Sequence, residues 1–152
     1  PICRREGGGG EDGAPPPVDL ALERKTGDFV RELIEAGELT CVHDLSDGGL
    51  IGAAADMALA SDCGVELDPD RNTHGRFRLF GGDQARYLAA GPDASALIAR
   101  AQAAGLHASV VGRAKGRDFA SSGPNGELFR LPLDHLREMH EGWMPSWIEG
   151  RA

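Results

Sequence analysis

Apolar residues return at helical spacing between Asp19 and Gly37. Asp19 is a good N-cap, Leu22, Phe29, Val30, Leu33 and Ile34 share one face, and Gly37 supplies a stop, so the pattern predicts an amphipathic helix. Leu39 to His43 is a short β-prone run ending in a polar cluster, Asp44-Leu45-Ser46-Asp47-Gly48-Gly49. A second helix follows, with Leu50, Ala53, Ala54 and Met57 on one face, small residues from Gly52 to Ala55 for close packing on a sheet, and Gly64 beyond its end. Val65 to Leu67, Phe77 to Phe80 and Arg86 to Ala90 read as strands, the last two joined through Gly81-Gly82-Asp83. Pro92 and Asp93 open a helix carrying Ala96, Leu97, Ile98 and Ala101, and Gly105 stops it. Ala108 to Val111 is a further expected strand, and Gly126 to Arg130 another, after a turn at Gly123-Pro124-Asn125-Gly126. Leu133, Leu136, Trp143, Met144, Trp147 and Ile148 then recur at roughly helical intervals, with a break expected near Pro145. Irregular alternation with neighbouring strands favours an α+β fold, a layered α/β/α mixed sheet, over a doubly wound one.

Nine of the first 17 residues are Gly or Pro, a composition that cannot bury enough apolar surface to offset its ordering entropy. Residues 1–17 are therefore expected to be a flexible linker from an upstream domain, and 18–152 a single α+β domain. A start at Pro1 rather than Met fits a piece of something longer. The 152 residues carry a net charge of −8, which weighs against a general nucleic-acid binder, whose phosphate contacts need clustered Lys and Arg. No apolar run approaches the ~18 residues of a membrane span, and no signal peptide opens the chain. Cys3, Cys41 and Cys63 lack metal-type pairing and are odd in number, so a reduced, cytoplasmic protein is expected. The charge is uneven: Glu32 through Asp68 holds nine acids and no Lys or Arg, whereas Arg71 through Arg117 holds eight bases against two acids. One reading is a dipolar solvated surface; the other is a cation-friendly half beside an anion-friendly half.

Chemically useful groups crowd together at one strand-to-helix junction, His43-Asp44-Leu45-Ser46-Asp47-Gly48-Gly49. Such a junction lies at the C-terminal edge of a sheet, where α/β-type ligands commonly sit. Gly48 and Gly49 allow close approach to the main chain, and the first free N–H groups of the helix would face an anion such as phosphate. Two carboxylates would repel that phosphate unless a metal lay between, and Asp44 and Asp47 are the hard oxygen ligands Mg²⁺ prefers. The competing reading is structural: Ser46 or Asp47 caps the helix, the glycines make the turn, and His43 is a hydrogen-bonded strand-end residue.

A longer series of motifs carries more information. Ala14-Pro15-Pro16-Pro17-Val18-Asp19-Leu20, His43 through Leu50, Met57-Ala58, Cys63-Gly64-Val65, Leu79-Phe80-Gly81 with Asp83-Gln84-Ala85-Arg86-Tyr87, and Gly112-Arg113 together resemble the C-terminal domain of the phosphoribosylformylglycinamidine synthases, in the smaller bacterial form whose glutaminase is a separate subunit. The resemblance runs over about residues 13 to 147 and implies an aminoimidazole ribonucleotide synthetase C-terminal-like domain with partial ferredoxin-like topology. It further implies membership of an ATP-dependent C–N ligase of purine biosynthesis, which converts formylglycinamide ribonucleotide, ATP and glutamine-derived ammonia into the amidine, ADP and phosphate. The domain would form one wall of a Mg-nucleotide or substrate cleft, inactive alone because the nucleotide-cradling barrel lies in other domains. Asp44 would reach Mg²⁺, with His43, Ser46, Asp47, Gly48 and Gly49 on the ATP or ADP side, serving either a catalytic or a retained auxiliary nucleotide. Implied partners are the upstream domains, the glutaminase subunit and a small accessory subunit, with neither nucleic acid nor membrane. The chain departs from the family pattern at Gly81-Gly82, where Gly-Glu is usual, and in the lengthened tract from Arg4 to Glu11. The alternatives are a non-catalytic docking module, or the equivalent domain of aminoimidazole ribonucleotide synthetase, selenophosphate synthetase, thiamine-monophosphate kinase or the hydrogenase maturation factor that dehydrates a carbamoyl group.

Arg71, Arg76, Arg78 and Arg86 are read as solvated strand-edge residues, with contacts to a substrate phosphate or a neighbouring domain as the alternative. His74, His107, His135 and His140 lack partners at ligand spacing, and Trp143 and Trp147 are expected to anchor the last helix on the core.

Overall fold

The computed structural model describes residues 18–68, 80, 85–123 and 126–150. The expected linker 1–17, Arg71, Arg76, Arg78, His74 and Gly81 to Asp83 lie outside those residues, as does the strand expected at Phe77 to Phe80 except for Phe80 itself, which is helical.

Helix α1 (Leu20–Glu35) begins at its expected cap: the Asp19 carboxylate accepts hydrogen bonds from the N–H groups of Ala21 and Leu22, both at 3.0 Å. It ends at Gly37, whose φ of +68° lets Gly37 and Glu38 N–H turn back onto the carbonyls of Ile34 and Leu33. Only Leu33 of its apolar face is buried, while Leu20, Leu22 and Ile34 are exposed. Strand β1 (Cys41–Asp44) pairs antiparallel with β3 (Tyr87–Ala90), Cys41 opposite Ala90 and Asp44 opposite Tyr87.

Helix α2 (Gly49–Ser61) carries apolar or small residues on nearly every side, the signature of a helix surrounded by protein. One set, Ala54, Ala58 and Leu59, meets Leu67 of β2 (Val65–Leu67), Phe119 of β5 (Asp118–Gly123) and Leu133 at the head of α4 (Leu133–Ile148). Another, Leu50 and Ala53, packs with Leu45 and touches Leu88 and Val111. The helix thus lies between the β1–β3 pair and a four-stranded mixed sheet of order β4-β2-β5-β6, with β4 at Gly112–Ala114 and β6 at Gly126–Pro132. Within that sheet β2 and β5 are parallel and the other pairs antiparallel, so the α+β assignment stands. Helix α3 (Ala94–Ala103) follows β3, with Asp93 accepting from Ala96 N–H at 3.0 Å and Gly105 closing it at φ +66°.

Four expectations are corrected. Ala108 to Val111 is not a strand; pairing with β2 starts at Gly112, where a side chain would strike the Glu66 carbonyl and approach Leu67 Cα to 3.0 Å. The central strand β5, with Phe119, Ala120 and Ser121 buried, was not expected from Asp-Phe-Ala-Ser-Ser-Gly. Helix α4 continues through Pro145 to Ile148, since this exposed half of the helix leaves the carbonyl that Pro145 cannot bond open to water. Finally, Trp143 and Trp147 do not anchor α4 on the core: they are 57% and 64% exposed.

Candidate functional site

Strand β1 delivers His43 and Asp44 to the end of the β1–β3 ladder, and the chain then turns sharply into α2. Leu45 pins this turn by burying its side chain beside Leu50 and Ala53, while its N–H donates to the Arg86 carbonyl at 3.0 Å. Gly49 N–H donates to Ser46 O, also at 3.0 Å. Gly48 and Gly49 stand at φ +83° and +61°, a region an L side chain rarely adopts, which is why two glycines occupy this corner. Gly52 completes it, because a Cβ there would come within 2.8 Å of the Asp47 carbonyl.

The helix is capped by Gly48, with no side-chain acceptor on its first turn. Neither Ser46 nor Asp47 caps α2 with its side chain, which corrects the capping part of the structural reading; its other parts hold, since the glycines make the turn and His43 is hydrogen-bonded at the strand end. Ser46, Asp47 and Gly48 are exposed, Gly49 is buried, and the Asp44 side chain is 67% exposed. Asp47 makes no ion pair among the described residues. His43 is tied down instead: its Nδ1–H donates to the Asp44 main-chain carbonyl at 2.6 Å, and Nε2 lies 3.5 Å from Asp56 Oδ2. Asp56 is the contributor that sequence spacing missed. Its signal was that of a lone acid on an otherwise apolar helix, facing back toward the strand that precedes it.

The structure therefore brings His43, Asp44, Ser46, Asp47, Gly48 and Gly49 together in one turn with an open carboxylate and uncapped helix donors. Among the described residues no group of three or more His, Cys, Asp or Glu could hold a metal ion. Asp44 and Asp47 are hard oxygen donors of the kind Mg²⁺ takes singly or in pairs in nucleotide sites, where phosphate oxygens and water fill the remaining positions. A groove of 450 Å³ between α1 and the end of α3, lined by Arg24, Lys25, Asp28 and Phe29, shares no residue with this turn. Cys41 and Cys63 are free thiols, and no described helix is long and apolar enough to cross a membrane.

Residues 3–122 match the family model described as AIR synthase related protein, C-terminal domain. The phosphoribosylformylglycinamidine synthase subunit PurL of Caulobacter vibrioides is 58% identical over 147 residues, covering 97% of this chain and 19% of that protein. PurL of Thermotoga maritima complexed with FGAR superposes with a TM-score of 0.69 at 20% identity, over 78% of this chain and 21% of that one. The same protein complexed with ATP gives 0.65 at 20% identity, over 74% and 21%. The likeness to these solved structures shows the fold, and the chain spans about a fifth of the length of its relatives. By its match over residues 3–122, the chain belongs to the family of AIR synthase related protein C-terminal domains, and within it is similar to the PurL subunit of phosphoribosylformylglycinamidine synthase.

Proposed function

We propose that this domain forms one wall of the Mg-nucleotide or substrate cleft of a phosphoribosylformylglycinamidine synthase. That enzyme joins glutamine-derived ammonia to formylglycinamide ribonucleotide at the expense of ATP. The observation that carries the reading is the turn from His43 to Gly49, where an open Asp44 carboxylate stands ahead of a helix whose first turn has no side-chain cap. Its support in kind is the 58% identity to a PurL subunit across nearly the whole chain.

Asp44 would hold Mg²⁺, and the metal would supply charge neutralisation between this carboxylate and nucleotide phosphates. Gly48 and Gly49 bring main chain within reach of those phosphates, and Ser46 adds a hydroxyl. Asp47 stands beside them, and His43, held by Asp56, fixes the strand end from which Asp44 projects. The upstream domains, the glutaminase and the accessory subunit would complete a cytoplasmic complex. Because the barrel that would cradle the nucleotide belongs to the upstream domains, the domain alone is expected to be inactive.

The test compares full-length enzyme containing this segment with its Asp44→Asn variant and with the 152 residues alone. Asp44→Asn is expected to weaken Mg-nucleotide retention by about tenfold or more, since even outer-shell changes cost that much in metal affinity. Measured on nucleotide-free enzyme, its melting temperature should not move, because the side chain is exposed and no bound ligand then contributes. The isolated chain should show no turnover. Unchanged nucleotide content with unchanged activity in the variant, or turnover by the isolated chain, contradicts the proposal.

A further inference from the structure

Helix α4 changes character along its length. Its first turn is core: Leu133 is fully buried and Leu136 packs on the same cluster. Arg137 then ties the helix to the end of α2, donating to the Leu59 carbonyl at 2.9 Å and to Asp62 at 3.1 Å. Beyond it, Met139, Trp143, Met144, Trp147 and Ile148 are all exposed. The two indoles stack on one another, centroids 6.0 Å apart at 22°, rather than on anything else described. Trp and Met are the residues enriched in the buried centres of interfaces, and monomers rarely leave so large an apolar patch open.

Two further facts bear on what covers this face. The family-wide domain match ends at residue 122, so α4 lies beyond it. The match to the Caulobacter PurL subunit nevertheless takes in 97% of this chain, which leaves too few residues aside to omit the aromatic half of α4. The helix therefore lies outside the span of the family match but within the span shared with that PurL subunit. Four-fifths of such a polypeptide lies outside the 152 residues, since the match spans 19% of its length.

We infer that the exposed half of α4 is an intramolecular docking surface, seated in an apolar groove on the remainder of a PurL-length polypeptide, with Trp143 and Trp147 as its anchors. The inference rests on the reading that this domain works within such a polypeptide, and owes nothing to the role of Asp44.

Hydroxyl-radical footprinting of wild-type full-length enzyme, read by mass spectrometry, tests it. Oxidation of Trp143 and Trp147 is followed in the native enzyme and in the same enzyme unfolded in urea, over a range of concentrations, with and without the other subunits. Docking within the chain predicts that native oxidation falls by about tenfold or more, the protection of an interface centre, at every concentration and without added subunits. Protection of no more than about twofold, as for the half-exposed indoles described above, overturns the inference. So does protection that appears only at high concentration, which means a second copy, or only when another subunit is added. Any of these outcomes leaves the Asp44→Asn comparison intact, so the two readings fail separately.

Discussion

Asp62 stands where three parts of the chain meet. It ends α2 in a left-handed conformation at φ +50°, uncommon for a residue with a side chain. Its carboxylate accepts from Arg117 at 3.0 Å and from Arg137 at 3.1 Å, and Arg117 also donates to Asp134 at 2.9 Å. The hydrogen bond from Arg117 and then its charge hold the Asp62 carboxyl below the usual carboxylate value of 3.8; desolvation opposes them, and the hydrogen bond and charge of Arg137 add the least. A group whose pKa is lowered by folding contributes stability that is complete above its unfolded value and is lost as the pH falls through its folded one. Asp62→Asn should therefore lower the melting temperature at pH 7, and the gap from wild type should close as the pH falls from about 4 toward 2. Thermal melts across that range check this, and a gap independent of pH contradicts it. At this scale the sequence was legible only in part. The base-free stretch from Glu32 to Asp68 reads either as a solvated surface or as a cation-friendly half, and in the fold Glu38 pairs with Arg100, Asp62 with Arg117 and Arg137, and Glu66 with Lys115 and Arg130. Most of these partners lie around 50 or more residues away, beyond what local charge counts register. Asp44 and Asp47 have no Lys or Arg partner among the described residues, and the same holds for Glu32, Asp56 and Asp68 of that stretch, so pairing alone does not mark the turn.

Among the elements, those with strong local signals formed where expected. Asp19 and Asp93 cap helices, Gly37 and Gly105 end them, and the apolar surround of α2 marks it as central. Strand β5 carries no such signal: Ala, Ser and Gly are indifferent strand formers, and only its place between β2 and β6 makes it a strand. Gly64 shows how closely these elements approach. A Cβ there would come within 2.6 Å of main-chain atoms of Asp118 and 2.7 Å of the Lys115 carbonyl, none of which can move without breaking the junction between β2 and the β4–β5 turn. Gly64→Ala should cost about 2 kcal/mol or more by overpacking. Gly142→Ala, in open space on α4, should be neutral or stabilising by up to about 1 kcal/mol. Urea unfolding of both variants decides the matter, and equal effects would contradict this account of the junction.

For the molecule as a whole, α2 is the element that joins everything else. Its two apolar sets bind the β1–β3 pair on one side and the four-stranded sheet with α4 on the other, and its N-terminus receives the turn from His43 to Gly49. The motif was readable because it is contiguous, and two glycines with positive φ fix its backbone. Asp56 was not, because it reaches His43 from farther along α2 and only folding brings them to 3.5 Å. The exposed indoles of α4 were misread for a related reason: helical spacing shows that a face is apolar without showing what lies against it. The central claim is that this turn faces a metal-nucleotide through Asp44. Crystals of the full-length enzyme grown with Mn²⁺ and nucleotide, measured for anomalous scattering, test it most directly. The account predicts a Mn²⁺ peak at coordination distance, about 2.1 Å, from an Asp44 carboxylate oxygen. Metal-nucleotide density found only at other sites, with Asp44 left in solvent, would contradict it.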